Sequence, residues 1–207
     1  MLTLDMLQSL WPNGDQHIPG LVEAIAASAP TVFPKYGLTT DLVIAHAMAQ
    51  FSEECGAGLF MVENLNYSAA GLLATWPTHF TGTLANQCAR NPQMIADIAY
   101  GGRMGNAPPP STDGWDFRGR GLSQVTGRDG YTALAQTVQL DIVNNPDLVS
   151  TPESALECGV ADFVQCGCLP HAQNDDITGV TKSLNGGLLG LSERTAWLAR
   201  WKTALGV

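Results

Sequence analysis

Two glutamates in the first third of the chain have the spacing of a pair that could transfer protons to and from a substrate. Glu54 and Glu63 lie nine positions apart in the segment AQFSEECGAGLFMVENLNYSAAGLL. Gly56 and Gly58 separate them, so the chain is expected to turn between the two carboxylates. Inverting glycosidases use two such groups about 6.5–9.5 Å apart, one as general acid and one as the base that activates a water. The spacing permits that geometry and makes the pair a candidate for acid–base hydrolysis.

A second candidate segment, residues 99–131, combines glycine, arginine and aromatic side chains. It contains eight of the 22 glycines and four of the ten basic residues, together with Trp115, Phe117 and Tyr131. Glycine lets a backbone pass close to a ligand, and arginine can orient a carboxylate or carry sugar hydroxyls. Aromatic faces suit the apolar faces of sugar rings. This composition favours a glycan-binding cleft, and the alternative is an ordinary glycine-rich surface loop.

The first carboxylate lies at the end of a predicted amphipathic helix over residues 41–55. The apolar stripe of this helix consists of residues at spacings of four and three: Ile44, Met48, Phe51 and Cys55. Glu54 falls at the flank of the stripe, whereas Glu53 points to nearly the opposite side and into water. Partial burial raises the pKa of a carboxyl group, as a general acid near neutral pH requires. We therefore hypothesise that Glu54 is the acid, with a salt bridge at the helix flank as the alternative.

Capping signals predict that most of the remaining chain is helical. Asn91-Pro92 and Thr151-Pro152-Glu153 each place an N-cap residue before a proline, and Ser68, Ser192 and residues 39–41 precede other helical runs. Alternating runs typical of strands are almost absent. With 207 residues and 45% hydrophobic content, the chain is expected to form one mainly α-helical domain with a full core.

The charge and the apolar runs exclude two classes of partner. A net charge of −9 lacks the basic surface that nucleic acid requires. No apolar run reaches the roughly 20 residues of a membrane span. The first residues, MLTLDMLQSLWPNGDQ, lack the basic region of a secretory signal peptide. We therefore expect no nucleic-acid partner, no membrane insertion and no secretory signal.

The five cysteines could indicate a metal site. Cys158, Cys166, Cys168 and His171 could form a zinc set, but a C-x-C spacing replaces the usual C-x₂-C. In a protein without an export signal, reduced and buried thiols are the preferred interpretation. We expect neither a metal nor a cofactor.

Several long motifs give the chain a resemblance to glycoside hydrolase family 19. The matching runs are Ala49-Gln50 followed by Glu54, ENLNYSA (63–69), YGGRMGN (100–106), DGWDFRGRGLSQVTGRDGY (113–131) and LNGG (184–187). They resemble the plant-type chitinases and, more closely, the lysozyme-like endolysins of bacteriophages. The resemblance implies a mainly α, lysozyme-like, two-lobed helical domain with a central substrate cleft. It also implies one-step inverting cleavage of β-1,4 bonds.

The resemblance assigns roles to single residues. Glu54 matches the general acid, Glu63 the general base of the endolysin branch, and Thr126 the residue whose hydroxyl helps hold the attacking water. Three further residues match positions that line the sugar sites, and a fourth matches a buried arginine that ties the base into place: Gln124, Tyr131 and Asn185, and Arg194. The family usually has His-Glu-Ser or His-Glu-Thr around its acid, whereas this chain reads Glu53-Glu54-Cys55. The difference puts a second carboxylate beside the acid and removes a hydroxyl.

The resulting prediction is a single-domain peptidoglycan hydrolase of the phage-endolysin type, spanning residues 1–207 without a separate wall-binding module. We expect a monomer made in the host cytoplasm that acts on the wall once the membrane is permeabilised. Three alternatives remain: a chitinase acting on β-1,4-linked GlcNAc polymers, a bacterial cell-wall enzyme or secreted effector, and an inactive glycan-binding protein. The presence of Glu54, Glu63 and Thr126 argues against the last.

Overall fold

The computed structural model describes all residues, 1–207, and is built from helices. Twelve α-helices follow one another along the chain: α1 (Leu4–Leu10), α2 (Leu21–Lys35), α3 (Asp41–Glu54), α4 (Ala69–Thr75), α5 (Gly82–Cys88), α6 (Pro92–Tyr100), α7 (Asp113–Asp116), α8 (Arg128–Val138), α9 (Ala155–Gln165), α10 (Cys168–Gln173), α11 (Ile177–Asn185) and α12 (Leu191–Leu205). A 3₁₀ helix, Pro146–Ser150, precedes α9. Antiparallel pairing is limited to two isolated bridges, Val62–Arg120 and Arg120–Val125. The prediction of a mainly α fold is confirmed. None of the helices has the length and apolarity needed to cross a membrane.

The chain divides into two compact units, each assembled from separate stretches of sequence. Unit 1 comprises residues 1–61, 121–124 and 147–207, and unit 2 comprises residues 62–120 and 125–146. Glu54 therefore belongs to unit 1 and Glu63 to unit 2. The two carboxylates stand on different structural supports, although only nine positions separate them in the sequence.

Helix α3 is the centre of unit 1. Its first turn is capped by Thr40, whose Oγ1 accepts the N–H of Val43 at 3.3 Å. Every residue from Val43 to Ser52 is buried, and α9, α10, α11 and α12 all contact the helix. Burial therefore extends well beyond the single stripe that the sequence predicts. A helix enclosed in this way gives the carboxylates at its C-terminal end a rigid base.

A buried polar contact holds the last turn of α3. The hydroxyl oxygen of Ser52 accepts hydrogen bonds from the indole N–H groups of Trp11 and Trp201, each at 2.8 Å. The same hydroxyl donates to the carbonyl of Met48 at 2.6 Å. The two indole rings pack edge to face with centroids 6.3 Å apart. Because a buried N–H without a partner is costly, these contacts tie the end of α1 and the body of α12 to a residue two positions before Glu54.

Unit 2 has an apolar core of its own, built mainly by α4, α5 and α6. The buried members of this core share small or apolar side chains: Leu65, Leu72, Phe80, Ala85, Cys88, Ile95, Ala96 and Ala99. Half-buried aromatic rings pack against them. Trp76 meets Tyr67 edge to face with ring centroids 5.1 Å apart, and it meets Tyr100 in the same way at 6.2 Å. These aromatic pairs place Tyr100, the last residue of α6, on a packed base.

The helix starts expected from capping signals are confirmed at some positions and displaced at others. Ser68 caps α4, and Asn91 caps α6 with Pro92 as its first residue. In contrast, α9 begins at Ala155, three positions later than the proline signal indicates, and α12 begins at Leu191, two positions before the start that Ser192 would give. A capping residue shows that a helix start is near, and tertiary packing decides where the helix begins.

Candidate active site

Glu54, the last residue of α3, is held by a buried arginine. Its Oε1 accepts a hydrogen bond from Nη2 of Arg194 at 2.7 Å. The Glu54 side chain is 17% exposed and that of Arg194 only 4% exposed. Arg194 also donates through Nη1 to the side-chain carbonyl of Gln50 at 2.6 Å and through Nε to the backbone carbonyl of Leu189 at 3.2 Å. Three anchors thus fix the guanidinium, and the guanidinium fixes one oxygen of Glu54.

Arg194 therefore serves a different carboxylate from the one that the resemblance implies. The expectation is that it ties the base, Glu63, into place, whereas its hydrogen-bond partners Gln50, Glu54 and Leu189 all lie in unit 1. Its ion pair is with Glu54. That expectation is wrong with respect to the partner. The role of a buried arginine that orients a candidate catalytic carboxylate is retained.

Glu53 is less exposed than the helical phase predicts. Its side chain is half-buried, and its Oε1 lies only 3.0 Å from the point where a Cβ on Gly190 would stand. Burial raises the pKa of Glu53, and the nearby Arg194 guanidinium partly opposes that rise. The expectation of a fully solvated Glu53 is wrong, because the loop before α12 covers one side of it.

Unit 1 contains another carboxyl group close to Glu54 that the sequence analysis missed. Asp162 on α9 accepts hydrogen bonds from the side chains of Ser123 and Cys166, the latter with 3.8 Å between Sγ and Oδ1. Burial raises the pKa of Asp162, and the charge of Glu54 raises it further. An acidic residue inside the apolar run GVADFV is the sequence signal that could have revealed it.

Glu63 is held by neutral donors at both of its carboxylate oxygens. The phenolic hydroxyl of Tyr100 donates to Oε1 at 2.5 Å, and the backbone N–H of Gly119 donates to Oε2 at 3.2 Å. The backbone N–H of Glu63 donates in turn to the carbonyl of Gly119 at 2.9 Å. Burial, followed by the charge of Glu63, raises the pKa of Tyr100 far above its ordinary value, so the phenol keeps its proton and acts as a donor.

Three of the four arginines of residues 99–131, Arg118, Arg120 and Arg128, have partners for their side chains within the protein. Arg128 donates through Nε and Nη2 to the two carboxylate oxygens of Asp113 at 2.8 and 2.6 Å. This pairing holds the pKa of Asp113 far below its usual range. The guanidinium of Arg118 stacks on the ring of Trp115 with 3.6 Å between its central carbon and the ring centroid. These contacts order the glycine-rich segment, so a sugar-binding role is not needed to explain Arg118 and Arg128.

Tyr131 belongs to the same structural set. Its side chain is fully buried. Its hydroxyl donates to the carbonyl of Arg118 at 2.9 Å and accepts from Nη1 of the buried Arg120 at 3.2 Å. The expectation that Tyr131 lines a sugar site is therefore at odds with this structure, because a ring without exposed surface cannot stack on a sugar. The Tyr131 hydroxyl instead joins the backbone carbonyl of Arg118 to the guanidinium of Arg120.

The remaining predicted residues are at least partly exposed. Thr126 is half-buried between Val125, which bridges to Arg120, and Gly127, whose N–H donates to the carbonyl of Phe117 at 2.8 Å. This backbone pairing fixes the position from which the Thr126 side chain extends. The threonine thus stands on an ordered turn of unit 2.

Gln124 and Asn185 lie in unit 1 and have local structural contacts. Gln124 has a positive φ of 56°, and its amide donates to the carbonyls of Phe60 and Gly121 at 3.1 and 3.0 Å. Asn185 ends α11, is exposed, and donates to the carbonyl of Leu189 at 3.3 Å. Asn185 and Arg194 therefore share Leu189 as an acceptor, which links the loop before α12 to the Glu54 site.

The cysteines are free thiols, and four of the five are buried. Burial raises the pKa of Cys158 to about 12 and removes any tendency to ionise near neutral pH. The structure brings together no group of three or more histidine, cysteine, aspartate or glutamate side chains suited to holding a metal ion.

Comparison with known proteins identifies the family. A scan against models of protein families finds no match. A protein of Haemophilus influenzae described as a glycosyl hydrolase family 19 domain-containing protein is 34% identical over 178 residues, which cover 86% of this chain and 85% of the relative. The chain belongs to glycosyl hydrolase family 19. As a member of this family it is a glycoside hydrolase.

Solved chitinase structures share its fold. Chitinase C from Streptomyces griseus superposes with a TM-score of 0.63 at 17% identity, covering 99% of this chain and 92% of that one. A bacterial family 19 chitinase gives a TM-score of 0.64 at 22% identity, with 99% and 95% covered. A class IV chitinase of the same family from Zea mays gives 0.60 at 10% identity, with 100% and 93% covered. The expected lysozyme-like, all-α fold is thereby confirmed across the whole length of this family 19 chain.

Proposed function

We propose that this family 19 enzyme hydrolyses the β-1,4 bonds of bacterial peptidoglycan by an inverting mechanism. The observation that carries the proposal is the contrasting support of two carboxylates that match the motif positions of the family. Glu54 is fixed by a buried cation, Arg194, and Glu63 is fixed at both oxygens by Tyr100 and the N–H of Gly119. Two oriented carboxyl groups in unlike surroundings are what a separate acid and base require.

In the proposed reaction Glu54 gives its proton to the glycosidic oxygen while Glu63 takes a proton from a water molecule. The water oxygen bonds to the anomeric carbon as the bond between that carbon and the glycosidic oxygen breaks, so the configuration inverts. Glu54 is left as a carboxylate beside Arg194, whose charge stabilises it. Glu63 is left protonated, and proton exchange with water restores both groups. We assign Thr126 to holding the attacking water together with Glu63, and Gln124 and Asn185 to contacts with the sugars.

Two observations support peptidoglycan as the substrate. The runs ENLNYSA and RGRGLSQVTG are long and specific to the family, and the chain as a whole resembles its phage endolysins more closely than its plant-type chitinases. In addition, residues 69–100 fold into three short helices, α4 to α6, joined by connections of only a few residues. Such a segment lacks the long loops that would enclose a chain of unmodified sugars, and it suits a polymer that carries peptides on alternate residues.

Chitin hydrolysis is the second candidate. The observation in its favour is that each of the solved structures described above is a chitinase. The chemistry at Glu54 and Glu63 would be the same for both polymers. The two functions differ in whether the binding surface accepts the lactyl ether and stem peptide of peptidoglycan.

The deciding experiment compares the two polymers directly. We expect the purified protein to solubilise peptidoglycan sacculi much faster than it cleaves chitohexaose. We expect Glu54→Gln and Glu63→Gln to reduce both activities strongly. Mass spectrometry of the new reducing ends identifies the bond that is cut, and proton NMR of fresh products should show the inverted anomer. Rapid turnover of chitohexaose without release of soluble peptidoglycan would establish the chitinase instead.

The proposed site of action has a test of its own. A lysin that needs help to reach the wall should clear suspensions of chloroform-permeabilised Gram-negative cells and leave intact cells turbid when added from outside. Glu63→Gln, added at the same concentration, controls for lysis by the solvent. Clearing of intact cells at the same rate would contradict the need for permeabilisation.

A further inference from the structure

The phenol of Tyr100 makes the shortest hydrogen bond to either candidate catalytic carboxylate. The distance between Tyr100 Oη and Glu63 Oε1 is 2.5 Å, whereas Gly119 N to Glu63 Oε2 is 3.2 Å and Arg194 Nη2 to Glu54 Oε1 is 2.7 Å. Distances of 2.5–2.7 Å are typical of an O–H donor bound to a charged carboxylate. The contact therefore suits Glu63 in its ionised form.

Tyr100 is held in position from both its ring and its backbone. Its ring packs edge to face on Trp76 at 6.2 Å. Its carbonyl accepts the side-chain amide of Asn106 at 3.0 Å, and the Oδ1 of Asn106 accepts the N–H of Arg128 at 2.8 Å. Asn106 is itself 5% exposed. A donor anchored in this way can orient a carboxylate without first losing much conformational freedom of its own.

We propose that Tyr100 is the positioning residue of the general base, acting on the water-activating step entirely through Glu63. This inference rests on the proposed role of Glu63 as base. A carboxylate offers about four lone-pair directions. Tyr100 and Gly119 occupy one direction on each oxygen, which sets the side-chain rotation and leaves the other directions for the water and its partner. The phenol carries no charge, so it orients the carboxylate without cancelling the negative charge that draws a proton from water.

The first test is Tyr100→Phe, which keeps the ring and removes the hydroxyl. We expect kcat to fall about 10- to 100-fold, the range for loss of one hydrogen bond to a charged group. KM should change by less than about twofold, because Tyr100 acts on the base and does not bind the sugar. Tyr67→Phe is the matched control, since it makes the same chemical change on the other tyrosine that packs against Trp76. We expect that control to keep full kcat.

A double-mutant cycle separates action through Glu63 from general damage to the fold. If Tyr100 acts through Glu63, Tyr100→Phe should have little further effect in a Glu63→Gln background. The assay uses whichever glycan the wild-type protein cleaves, so an error about the polymer does not affect it. Thermal unfolding of Tyr100→Phe and Tyr67→Phe should give similar Tm values.

The outcomes distinguish this inference from the proposed function. A fully active Glu63→Gln would remove the base assignment and Tyr100 with it. An inactive Glu63→Gln together with an unimpaired Tyr100→Phe would overturn only the role of Tyr100. Equal losses from Tyr100→Phe in both backgrounds, or a rise in KM at unchanged kcat, would show that the hydroxyl acts elsewhere.

Discussion

Glu54 and Glu63 are the same residue type nine positions apart, and the structure surrounds them differently. Glu54 ends a buried helix of unit 1 and pairs with Arg194, a permanent cation that is 4% exposed. Glu63 lies outside the helices in unit 2 and receives one hydrogen bond from a phenol and one from a backbone N–H. One carboxylate is charge-paired, and the other is held only by neutral groups.

The difference bears on how each carboxyl group could transfer a proton. A group that donates its proton gains a negative charge, and an adjacent guanidinium lowers the free energy of that charged state. A group that accepts a proton must keep its affinity for it, and neutral donors fix its geometry at a smaller electrostatic cost. The assignment of Glu54 as acid and Glu63 as base stays a prediction, which the following variants test.

The largest expected effect comes from removing either carboxylate. Glu54→Gln and Glu63→Gln should each reduce kcat by about 10²- to 10⁴-fold, as is typical for loss of a general acid or base. Assays with a substrate that carries a good leaving group would separate the two roles, because such a substrate no longer needs protonation. Glu54→Gln should then regain activity and Glu63→Gln should not. Recovery of Glu63→Gln alone would mean that the two roles are reversed.

The next effect concerns the stability that the buried ion pair supports. Arg194→Met should lower the free energy of unfolding by about 3 kcal/mol, because it leaves Glu54 and Gln50 without their donor in a largely buried site. Arg128→Met removes a more exposed arginine, 40% exposed, and should cost clearly less. Urea unfolding of both variants measures the difference. If both variants lost the same free energy of unfolding, burial would not make the Arg194–Glu54 pair more important for stability than the Arg128–Asp113 pair.

A smaller effect is expected at the water that Glu63 is proposed to activate. Thr126→Val removes a hydroxyl at nearly constant volume and should lower kcat by roughly 2- to 13-fold, the equivalent of one neutral hydrogen bond. Thr126→Ser should keep most of the activity, because it retains the hydroxyl. Steady-state rates on the cleaved glycan provide the measurement. A loss in Thr126→Ser equal to that in Thr126→Val would point to the methyl group instead.

The smallest effect concerns Glu53 and appears as a dependence of stability on pH. Burial raises the pKa of Glu53, so the folded protein keeps this proton to a higher pH than the unfolded chain does. Its contribution to stability is therefore full below the ordinary glutamate pKa of 4.5 and is lost as the pH rises through the folded pKa. Glu53→Gln removes that loss, so its Tm relative to wild type should increase as the pH rises above 4.5.

Activity of the same variant sharpens the comparison of neighbouring glutamates. Glu53→Gln should keep much of the wild-type kcat, in contrast to Glu54→Gln, because Glu53 is not assigned a proton-transfer role. Rates on the cleaved glycan at neutral pH provide the measurement. If Glu53→Gln proved inactive while Glu54→Gln stayed active, the assignment of the acid would move by one residue.

Local sequence chemistry was sufficient to predict much of the fold. The threonine and serine caps at residues 40 and 68 and the Asn91-Pro92 pair each mark a helix start correctly. Caps act through hydrogen bonds to backbone N–H groups two or three residues away, so a short stretch of sequence contains the information. Where a proline signal was misleading, as before α9, a later serine took the cap position.

The surroundings of individual side chains were harder to predict from the nearby sequence than the helix starts were. The helical phase predicts that Glu53 is exposed to water, but a loop more than 130 positions later in the sequence covers one side of it. Tyr131 belongs to a motif associated with sugar sites, yet the structure uses its hydroxyl to hold Arg118 and Arg120. The motif resemblance implies that Arg194 holds Glu63, whereas in the structure it pairs with Glu54. In each case the deciding contact came from a distant part of the chain or from the burial of the side chain.

By itself the sequence determined the all-helical class, the family and the two candidate carboxylates, because these follow from capping, periodicity and motifs that are each contained in short runs of residues. Only the tertiary structure decided that Arg194 pairs with Glu54 and that Tyr100 and Gly119 hold Glu63. Those contacts join residues 140, 37 and 56 positions apart. Hydrogen bonds of this kind require side chains to meet within about 3 Å, and spacing along the sequence does not specify such distances until the helices have packed.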